Sequence, residues 1–321
     1  MKKAFITGIA GFVGQHLARL LLDTGHTVSG IYCMDSDLPA IEPEIRKNLT
    51  LYQCDITDKQ AVAGVFSNIN VDVVYHLAAV SHVPFAEHNP ARAFDVNTMG
   101  TWNLLDAVKD IPHSKFVLIS SCEVYGRQSC GRRLFTESDP VLPSNVYGVT
   151  KASAEMLCNS YAHRYGLRTI IFRPFNHIGA GQACTFVASD FARQIVRIER
   201  GDVAPEITVG NLDVMRDFSD VRDVVSAYII AGETISDNGL FNVCSGNPIT
   251  IRTLLDTLLS IANADISIKV DTEKFRKNDN DYFGGSYKKL FDRTGWKPVI
   301  PLEKTLTDIL NYWRKQSYVK Y

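Results

Sequence analysis

The stretch KAFITGIAGFVGQHLARLLLDTG, residues 3–25, determines the fold. It begins as a short apolar strand, passes through three glycines and continues as an amphipathic helix that ends at Gly25. Gly8, Gly11 and Gly14 permit a tight turn, close approach of the backbone to a diphosphate, and close packing of helix on strand. Because a helix N-terminus also attracts anions, this stretch predicts a dinucleotide-binding unit at the start of the chain.

Short apolar runs alternate with amphipathic helical patterns through the first half of the chain, as at TVSGIY (27–32), VDVVYHLAA (71–79) and KFVLISS (115–121). This alternation predicts an α/β fold with a doubly wound parallel sheet of the Rossmann type. After Pro174 the pattern changes. The sequence therefore predicts a dinucleotide-binding domain over 1–174, rejoined by about 220–246. A smaller, discontinuous α/β substrate lobe is predicted over 175–219 and 247–321.

Composition argues against several classes of partner. The chain has 321 residues with 34 basic and 35 acidic side chains, so no basic excess points to nucleic acid or a membrane surface. No apolar stretch reaches the roughly 18 residues of a membrane span. The seven cysteines form no C-x-x-C pair and no zinc-ligand spacing. We therefore expect no metal site, reduced thiols and a cytoplasmic protein.

The residues that usually distinguish NAD from NADP leave both cofactors open. The second predicted strand ends at Tyr32, where an acid would bind the ribose 2′-OH of NAD, and Asp35 follows a few residues late. No arginine stands at this point to bind a 2′-phosphate. Asp55, after the third predicted strand, is suited either to reach the adenine or to cap the next helix.

A tyrosine and a lysine stand four residues apart in YGVTK (147–151), at the start of a predicted helix. This spacing places Tyr147 and Lys151 on one helix face. An adjacent ammonium favours the phenolate and is expected to lower the pKa of the tyrosine from its usual value near 10. Ser121 ends the strand before this helix, where side chains point into the ligand crevice of a parallel sheet. The three residues together predict a proton-transfer site.

The glycine motif, HLAA (76–79), the strand end at Ser121 and YGVTK together resemble the extended short-chain dehydrogenases/reductases over almost the whole chain. RPFNHIGAGQ (173–182) and TGWKPVIPLEKTL (294–306) resemble members that act on nucleotide-sugars. The resemblance implies an NAD(P)-dependent oxidoreductase that reduces the C4 ketone of a GDP-linked 4-keto-6-deoxysugar, or of a related ketosugar such as a heptose. It also implies a homodimer.

The resemblance further implies roles for individual residues. Ser121 would hydrogen-bond the sugar oxygen, Tyr147 would be the general acid, and Lys151 would hold the nicotinamide ribose. The residues expected to bind the cofactor, besides Tyr147 and Lys151, are Gly8, Gly11, Phe12, Val13, Gly14, Asp35, Asp55, Ile56, Leu77, Ala78 and Ala79. Those expected to bind the substrate are Ser81, His82, Asn176, Arg216 and Arg276.

Glu123 does not decide between ketone reduction and dehydration. In nucleotide-sugar dehydratases of this family an aspartate and then a glutamate follow the catalytic hydroxyl, and the glutamate serves as base at C5; here Cys122 and Glu123 hold these places. Glu123 is thus a candidate catalytic residue. IGAGQACTF (178–186) stands where GDP-mannose dehydratases have an arginine-containing turn, which favours the reductase. The alternatives are a 4,6-dehydratase or 4-epimerase with a recycled cofactor, and a non-catalytic dinucleotide-binding sensor.

Overall fold

The structure is a computed structural model that describes residues 2–67, 69–127, 131–275 and 280–316. Its strands, in chain order, are β1 (Lys3–Thr7), β2 (Thr27–Tyr32), β3 (Leu49–Gln53), β4 (Val73–His76), β5 (Lys115–Ile119), β6 (Arg168–Pro174), β7 (Asn176–Ile178), β8 (Glu206–Val209), β9 (Met215–Arg216), β10 (Phe218–Asp220), β11 (Gly239–Val243), β12 (Ile249–Thr250), β13 (Ser267–Val270) and β14 (Tyr282–Phe283).

Its α-helices, in chain order, are α1 (Phe12–Asp23), α2 (Pro43–Arg46), α3 (Lys59–Phe66), α4 (Val83–His88), α5 (Pro90–Phe94), α6 (Gly100–Val108), α7 (Val146–Tyr165), α8 (Val187–Glu199), α9 (Val221–Thr234), α10 (Ile251–Ile261), α11 (Lys288–Thr294) and α12 (Leu302–Lys315). Short 3₁₀ turns cover Asp35–Ala40, Cys122–Tyr125 and Thr272–Lys274, and a π turn covers Asp95–Met99.

A parallel sheet of seven strands forms the centre of the molecule, in the order β3-β2-β1-β4-β5-β6-β11. The strand order reverses between β1 and β4, and a doubly wound sheet opens its ligand crevice at such a point, beyond the carboxyl ends of the strands. The predicted fold class is therefore confirmed. The late strand β11 pairs with β6 and returns the chain to this sheet.

Helices cover both faces of the sheet, which is why its strands are nearly continuous apolar runs. On one face α1 and α9 bury Leu17 and Tyr228, and on the other α3, α6 and α7 bury Phe66 and Leu105. A separate apolar cluster lies among α8, α10, α12 and β8. The predicted domain boundaries remain a prediction.

The sequence pattern over residues 90–110 predicts a single helix, but the chain forms α5, the π turn Asp95–Met99 and then α6. π turns inside helices occur frequently at functional sites. The strand predicted at 71–79 is shorter than its apolar run, since β4 itself covers only Val73–His76. Within the described ranges, the helices are all too short or too polar to cross a membrane.

Candidate active site

A cleft of about 1130 Å³ lies at the carboxyl ends of the central strands, between the sheet and the segments that follow Pro174. Most of the residues that the sequence predicted for the site line this cleft. The predicted residues that line it are Gly8, Gly11, Phe12, Val13, Gly14, Asp55, Ile56, Leu77, Ala78, Ala79, Ser81, His82, Ser121, Glu123, Tyr147, Lys151, Asn176 and Arg216. Residues from distant parts of the chain thus share one crevice.

The glycine turn is built for close backbone contact. Gly8 has a φ of +71°, and a Cβ atom placed on it would lie 2.9 Å from the Cα of Ala78. A Cβ atom on Gly14 would lie 2.3 Å from the carbonyl oxygen of Gly8. Side chains at either position would fill the space between the turn, α1 and the segment after β4. The turn therefore fits a dinucleotide diphosphate at the N-terminus of α1.

The acidic residues at the other end of the cofactor region differ from the prediction. Among the described residues, Asp37 rather than Asp35 lines the cleft, and its carboxylate accepts hydrogen bonds from the backbone N–H groups of Cys33 and Met34 at 3.2 and 2.8 Å. Asp35 is exposed, because the chain turns immediately after β2. Asp35 therefore lies outside the lining of the cleft, and its contact with the cofactor stays a prediction.

Asp55 lines the cleft and does not cap the next helix, since Asp58 accepts the hydrogen bonds of that N-terminus. The Asp55 carboxylate instead accepts bonds from the backbone and hydroxyl of Thr57 and lies 3.4 Å from a guanidinium nitrogen of Arg92. These hydrogen bonds and the Arg92 charge outweigh burial and lower the pKa of Asp55. A charged carboxylate therefore lies after β3, where the sequence predicts a contact with the adenine.

A chain of buried hydrogen bonds joins the glycine turn to the helix of Tyr147. His76, at the end of β4, lies 2.8 Å through Nδ1 from the Thr7 hydroxyl and 2.9 Å through Nε2 from the Thr101 hydroxyl. Thr101 donates to the carbonyl of Asn97. The amide of Asn97 donates to the Thr150 hydroxyl, which in turn donates to the carbonyl of Tyr147.

This network includes a histidine whose protonation should affect stability. Burial, with a smaller contribution from the Lys151 charge, lowers the pKa of His76 to about 3. Between about pH 6.5 and pH 3 the unfolded chain therefore binds a proton that the folded chain does not. The free energy of unfolding should fall as the pH falls through this window.

We predict that wild-type protein loses about 2 kcal/mol more stability between pH 7 and pH 5 than a His76→Gln variant does. The glutamine amide cannot titrate, so its stability should lack this contribution. Urea unfolding of both proteins at the two pH values measures the difference. Equal losses in the two proteins would show that His76 is not the group that titrates.

Ser121, Tyr147 and Lys151 meet beyond the end of β5, where all three side chains are almost fully buried. The Lys151 ammonium donates to the carbonyl of Ile119 at 2.7 Å and lies 6.0 Å from the centroid of the Tyr147 ring. Tyr147 and Lys151 occupy the first turns of α7 because the Asn145 side chain caps this helix by accepting the N–H of Gly148. The predicted proton-transfer residues are therefore adjacent.

The ionisation of this cluster differs from the expectation. Burial raises the pKa of Tyr147, and a hydrogen bond with Ser121 acts in the opposite direction without overcoming it. Burial also lowers the pKa of Lys151 to about 8, against the charge of Glu155. The expected lowering of the tyrosine pKa by Lys151 is therefore wrong for this structure, because desolvation dominates. The phenol is protonated at neutral pH.

The predicted substrate residues lie along the far side of the cleft. Asn176 begins β7, and the guanidinium of Arg216 donates to the carbonyls of Met215 and Asn280 at 2.8 and 2.7 Å. Ser81 and His82 precede α4, with the His82 ring 6.1 Å from that of Phe186. Arg276 lies outside the described residues.

The comparison with known families covers nearly the whole chain. The family described as GDP-mannose 4,6 dehydratase matches residues 5–309. The chain belongs to this family. It is also 36% identical to GDP-6-deoxy-D-mannose reductase of Pseudomonas aeruginosa, over 98% of each chain. Identity to GDP-mannose 4,6-dehydratase of Yersinia enterocolitica is 29%, over 97% of this chain and 93% of that one.

Solved structures of similar proteins show the same architecture. The structure of RMD from Pseudomonas aeruginosa complexed with NADPH superposes with a TM-score of 0.85 at 35% identity, covering 98% of this chain and 99% of that one. UDP-glucose 4-epimerase of Thermotoga maritima, solved with UDP-glucose, gives 0.86 at 28% identity with the same coverages. The predicted resemblance and the assignment to nucleotide-sugar enzymes are confirmed.

Several residues that support the site were not predicted from the sequence. The hydrogen-bond chain contains Thr7, His76, Asn97, Thr101 and Thr150, and the sequence assigned a role to none of them, although His76 begins HLAA and Thr150 lies within YGVTK. Their signal in the sequence is polarity inside elements that are otherwise apolar, because buried polar groups need partners.

Proposed function

We propose that this protein reduces the C4 ketone of a GDP-linked 4-keto-6-deoxysugar with NADH or NADPH. The observation that carries the proposal is 36% identity to a GDP-6-deoxy-D-mannose reductase over 98% of both chains. The motifs of the sequence predict the same activity, that of GDP-4-keto-6-deoxy-D-mannose reductase, the enzyme that forms GDP-rhamnose. The glycine turn and the buried cluster of Ser121, Tyr147 and Lys151 supply the groups that this reaction needs.

The bound nicotinamide would supply the hydride. The chain's own residues handle the oxygen and its proton. Tyr147, protonated at neutral pH because burial raises its pKa, donates a proton to the alkoxide that develops at C4. The Ser121 hydroxyl hydrogen-bonds the same oxygen, and preorganised donors of this kind stabilise developing charge. Lys151, held by the carbonyl of Ile119, is placed to bind the nicotinamide ribose.

The substrate would extend from this cluster toward the far side of the cleft. Ser81 and His82 line the space nearest α4, where the sugar would lie. Asn176 and Arg216 are placed to bind the diphosphate, a task suited to a guanidinium fork. Lys274, which also lines the cleft, brings a second cation to this end. For the cofactor, relatives were solved with NADPH and with NAD, which supports NAD or NADP without separating them.

One experiment separates this function from its runner-up. The protein is incubated with GDP-4-keto-6-deoxymannose and each reduced cofactor, and in a parallel reaction with GDP-mannose and each oxidised cofactor, and the product sugars are identified by NMR. We expect stoichiometric consumption of one reduced cofactor and a product with a C4 hydroxyl. Conversion of GDP-mannose without net cofactor change would instead establish a dehydratase, which the presence of Glu123 permits. Interconversion of C4 epimers without net consumption would establish an epimerase.

We further infer a homodimer in the cytosol. Apolar side chains remain exposed on α6 and α7, including Trp102 at 43%, Met156 at 66% and Val149 at 37%. Exposed apolar faces of this kind favour association with another protein surface, and a second copy is the partner that the family resemblance implies. The reduced thiols expected from the cysteine pattern suit a reducing compartment.

We predict that Met156→Lys and Trp102→Glu each convert the dimer to a monomer at micromolar concentration. Each substitution places a charge in the centre of the proposed interface, where desolvation penalises it. Sedimentation velocity measures the change. Val299→Glu is the matched control, since Val299 is 68% exposed but lies between α11 and α12. A wild-type protein that sediments as a monomer would contradict the inference.

A further inference from the structure

Glu123 has a specific structural partner. It lies in the 3₁₀ turn Cys122–Tyr125, directly after β5, and is half-buried at the edge of the cleft. One carboxylate oxygen accepts a hydrogen bond of 2.7 Å from the side-chain amide of Asn145. This partner is the cap residue of α7, the helix that carries Tyr147 and Lys151.

Both polar atoms of the Asn145 side-chain amide form hydrogen bonds. Its oxygen accepts the N–H of Gly148 at 2.7 Å, and its nitrogen donates to Glu123. An asparagine amide can turn over, which would present its NH₂ group to the helix N–H. Because the Glu123 carboxylate only accepts hydrogen bonds, it holds the NH₂ group and keeps the oxygen directed at the helix. Glu123 therefore determines the orientation of the cap.

The first turn of α7 is held from two further directions. The N–H of Val146 donates to the carboxylate of Glu87, on α4, at 2.7 Å. A Cβ atom on Gly148 would lie 2.6 Å from the carbonyl oxygen of Glu123, so the helix start packs directly on that turn. Tyr147 lies between these two anchored residues. Any rotation of this turn would therefore displace the phenol.

We propose that Glu123 is a positioning residue in this protein. Its carboxylate orients Asn145, which caps α7 and so fixes Tyr147 and Lys151 relative to Ser121. It does not act as the proton acceptor. This inference rests on the proposed ketone reduction, which requires no base at C5. It gives the Glu123 carboxylate a role in that reaction other than proton transfer. Small displacements of reacting groups can reduce rates by about 100-fold.

Three single variants and one double variant test the proposal by their kcat values. Glu123→Gln keeps an oxygen that can accept from Asn145 and should lose about two- to threefold in kcat. Glu123→Ala removes the acceptor and should lose about 10- to 100-fold in kcat, with the KM for the sugar nearly unchanged. Asn145→Ser replaces the cap by a hydroxyl, which caps a helix without help from Glu123. Adding Glu123→Ala to Asn145→Ser should therefore lower kcat no further.

The outcomes that would overturn the proposal are distinct. Equal losses in Glu123→Gln and Glu123→Ala would show that the charge, and not the acceptor, is needed. Additive losses in the double variant would show that Glu123 does not act through Asn145. Incorporation of solvent deuterium at C5 of the product sugar that depends on Glu123 would identify it as a base.

A readout without turnover keeps this test separate from the proposed function. The same double-mutant cycle is measured by urea unfolding. Glu123→Ala should lower the urea midpoint in the wild-type background and leave it unchanged in the Asn145→Ser background. If this coupling appears while no ketone is reduced, the cap role stands and the proposed reaction fails. If the coupling is absent while the wild-type protein reduces the ketone, the proposed reaction stands and the cap role of Glu123 fails.

Discussion

Replacing Tyr147 by phenylalanine is expected to lower kcat for ketone reduction by about 100- to 10,000-fold, the range that a positioned proton donor contributes. The substitution removes only the hydroxyl, in a side chain that is 8% exposed and packed among other buried residues. The phenyl ring should keep this packing. Binding of the reduced cofactor and of GDP should therefore be nearly unchanged, so the loss should appear in kcat.

The experiment needs a matched tyrosine that is buried nearby but has no part in proton transfer. Tyr125 meets this need, because its hydroxyl donates to the side chain of Asn242 at 2.6 Å and burial likewise raises its pKa. Tyr125→Phe should lower stability and change kcat by less than about threefold. Turnover by Tyr147→Phe within tenfold of wild type would require another proton donor. A wild-type protein that binds the dinucleotide without turnover would favour the sensor.

The sequence predicted the fold well, for a physical reason. Strands buried on both faces are nearly continuous apolar runs, and so TVSGIY matches β2 at both ends. The helix predicted over 90–110 was less accurate, because periodicity does not reveal the π turn that directs Asn97 toward Val80 and Thr150. That turn depends on contacts with residues distant in the chain.

The groups of the site that belong to recognisable motifs were predicted, whereas the polar residues that only tertiary contacts bring together were missed. Tyr147 and Lys151 are four residues apart, so a helix alone brings them together. His76 and Thr7 are 69 residues apart, and only the pairing of β1 with β4 joins them. The direction of the pKa shift of Tyr147 could not be predicted from the sequence either, because it depends on how deeply the folded chain buries the phenol.

The largest effect on stability is expected at a buried ion pair beneath the site. Glu155, on α7, accepts from both Nε and a terminal nitrogen of Arg173, at 2.9 and 2.6 Å, and from the Ser120 hydroxyl at 2.5 Å. Both charged side chains are almost fully buried. Burial by itself would lower the pKa of Arg173, but its hydrogen bonds and ion pair with Glu155 raise it. Each charge therefore depends on the other.

We predict that Glu155→Leu lowers the free energy of unfolding by about 3–5 kcal/mol, a large part of the 5–15 kcal/mol typical of a folded domain. The loss comes mainly from the uncompensated guanidinium that remains buried. Urea unfolding measures it. Lys288→Met, which breaks an exposed pair with Asp292 at 2.7 Å, is the control and should leave the urea midpoint nearly unchanged.

The double variant Glu155→Leu/Arg173→Met distinguishes the cost of an unpaired charge from the value of the pair. With both charges replaced by apolar groups, no guanidinium is left without its carboxylate, and most of the stability lost in Glu155→Leu should return. Kinetics should not recover with it, since Glu155 also supports the charged form of Lys151, whose pKa is already about 8. A double variant as unstable as the single one would mean that the pair itself stabilises the fold.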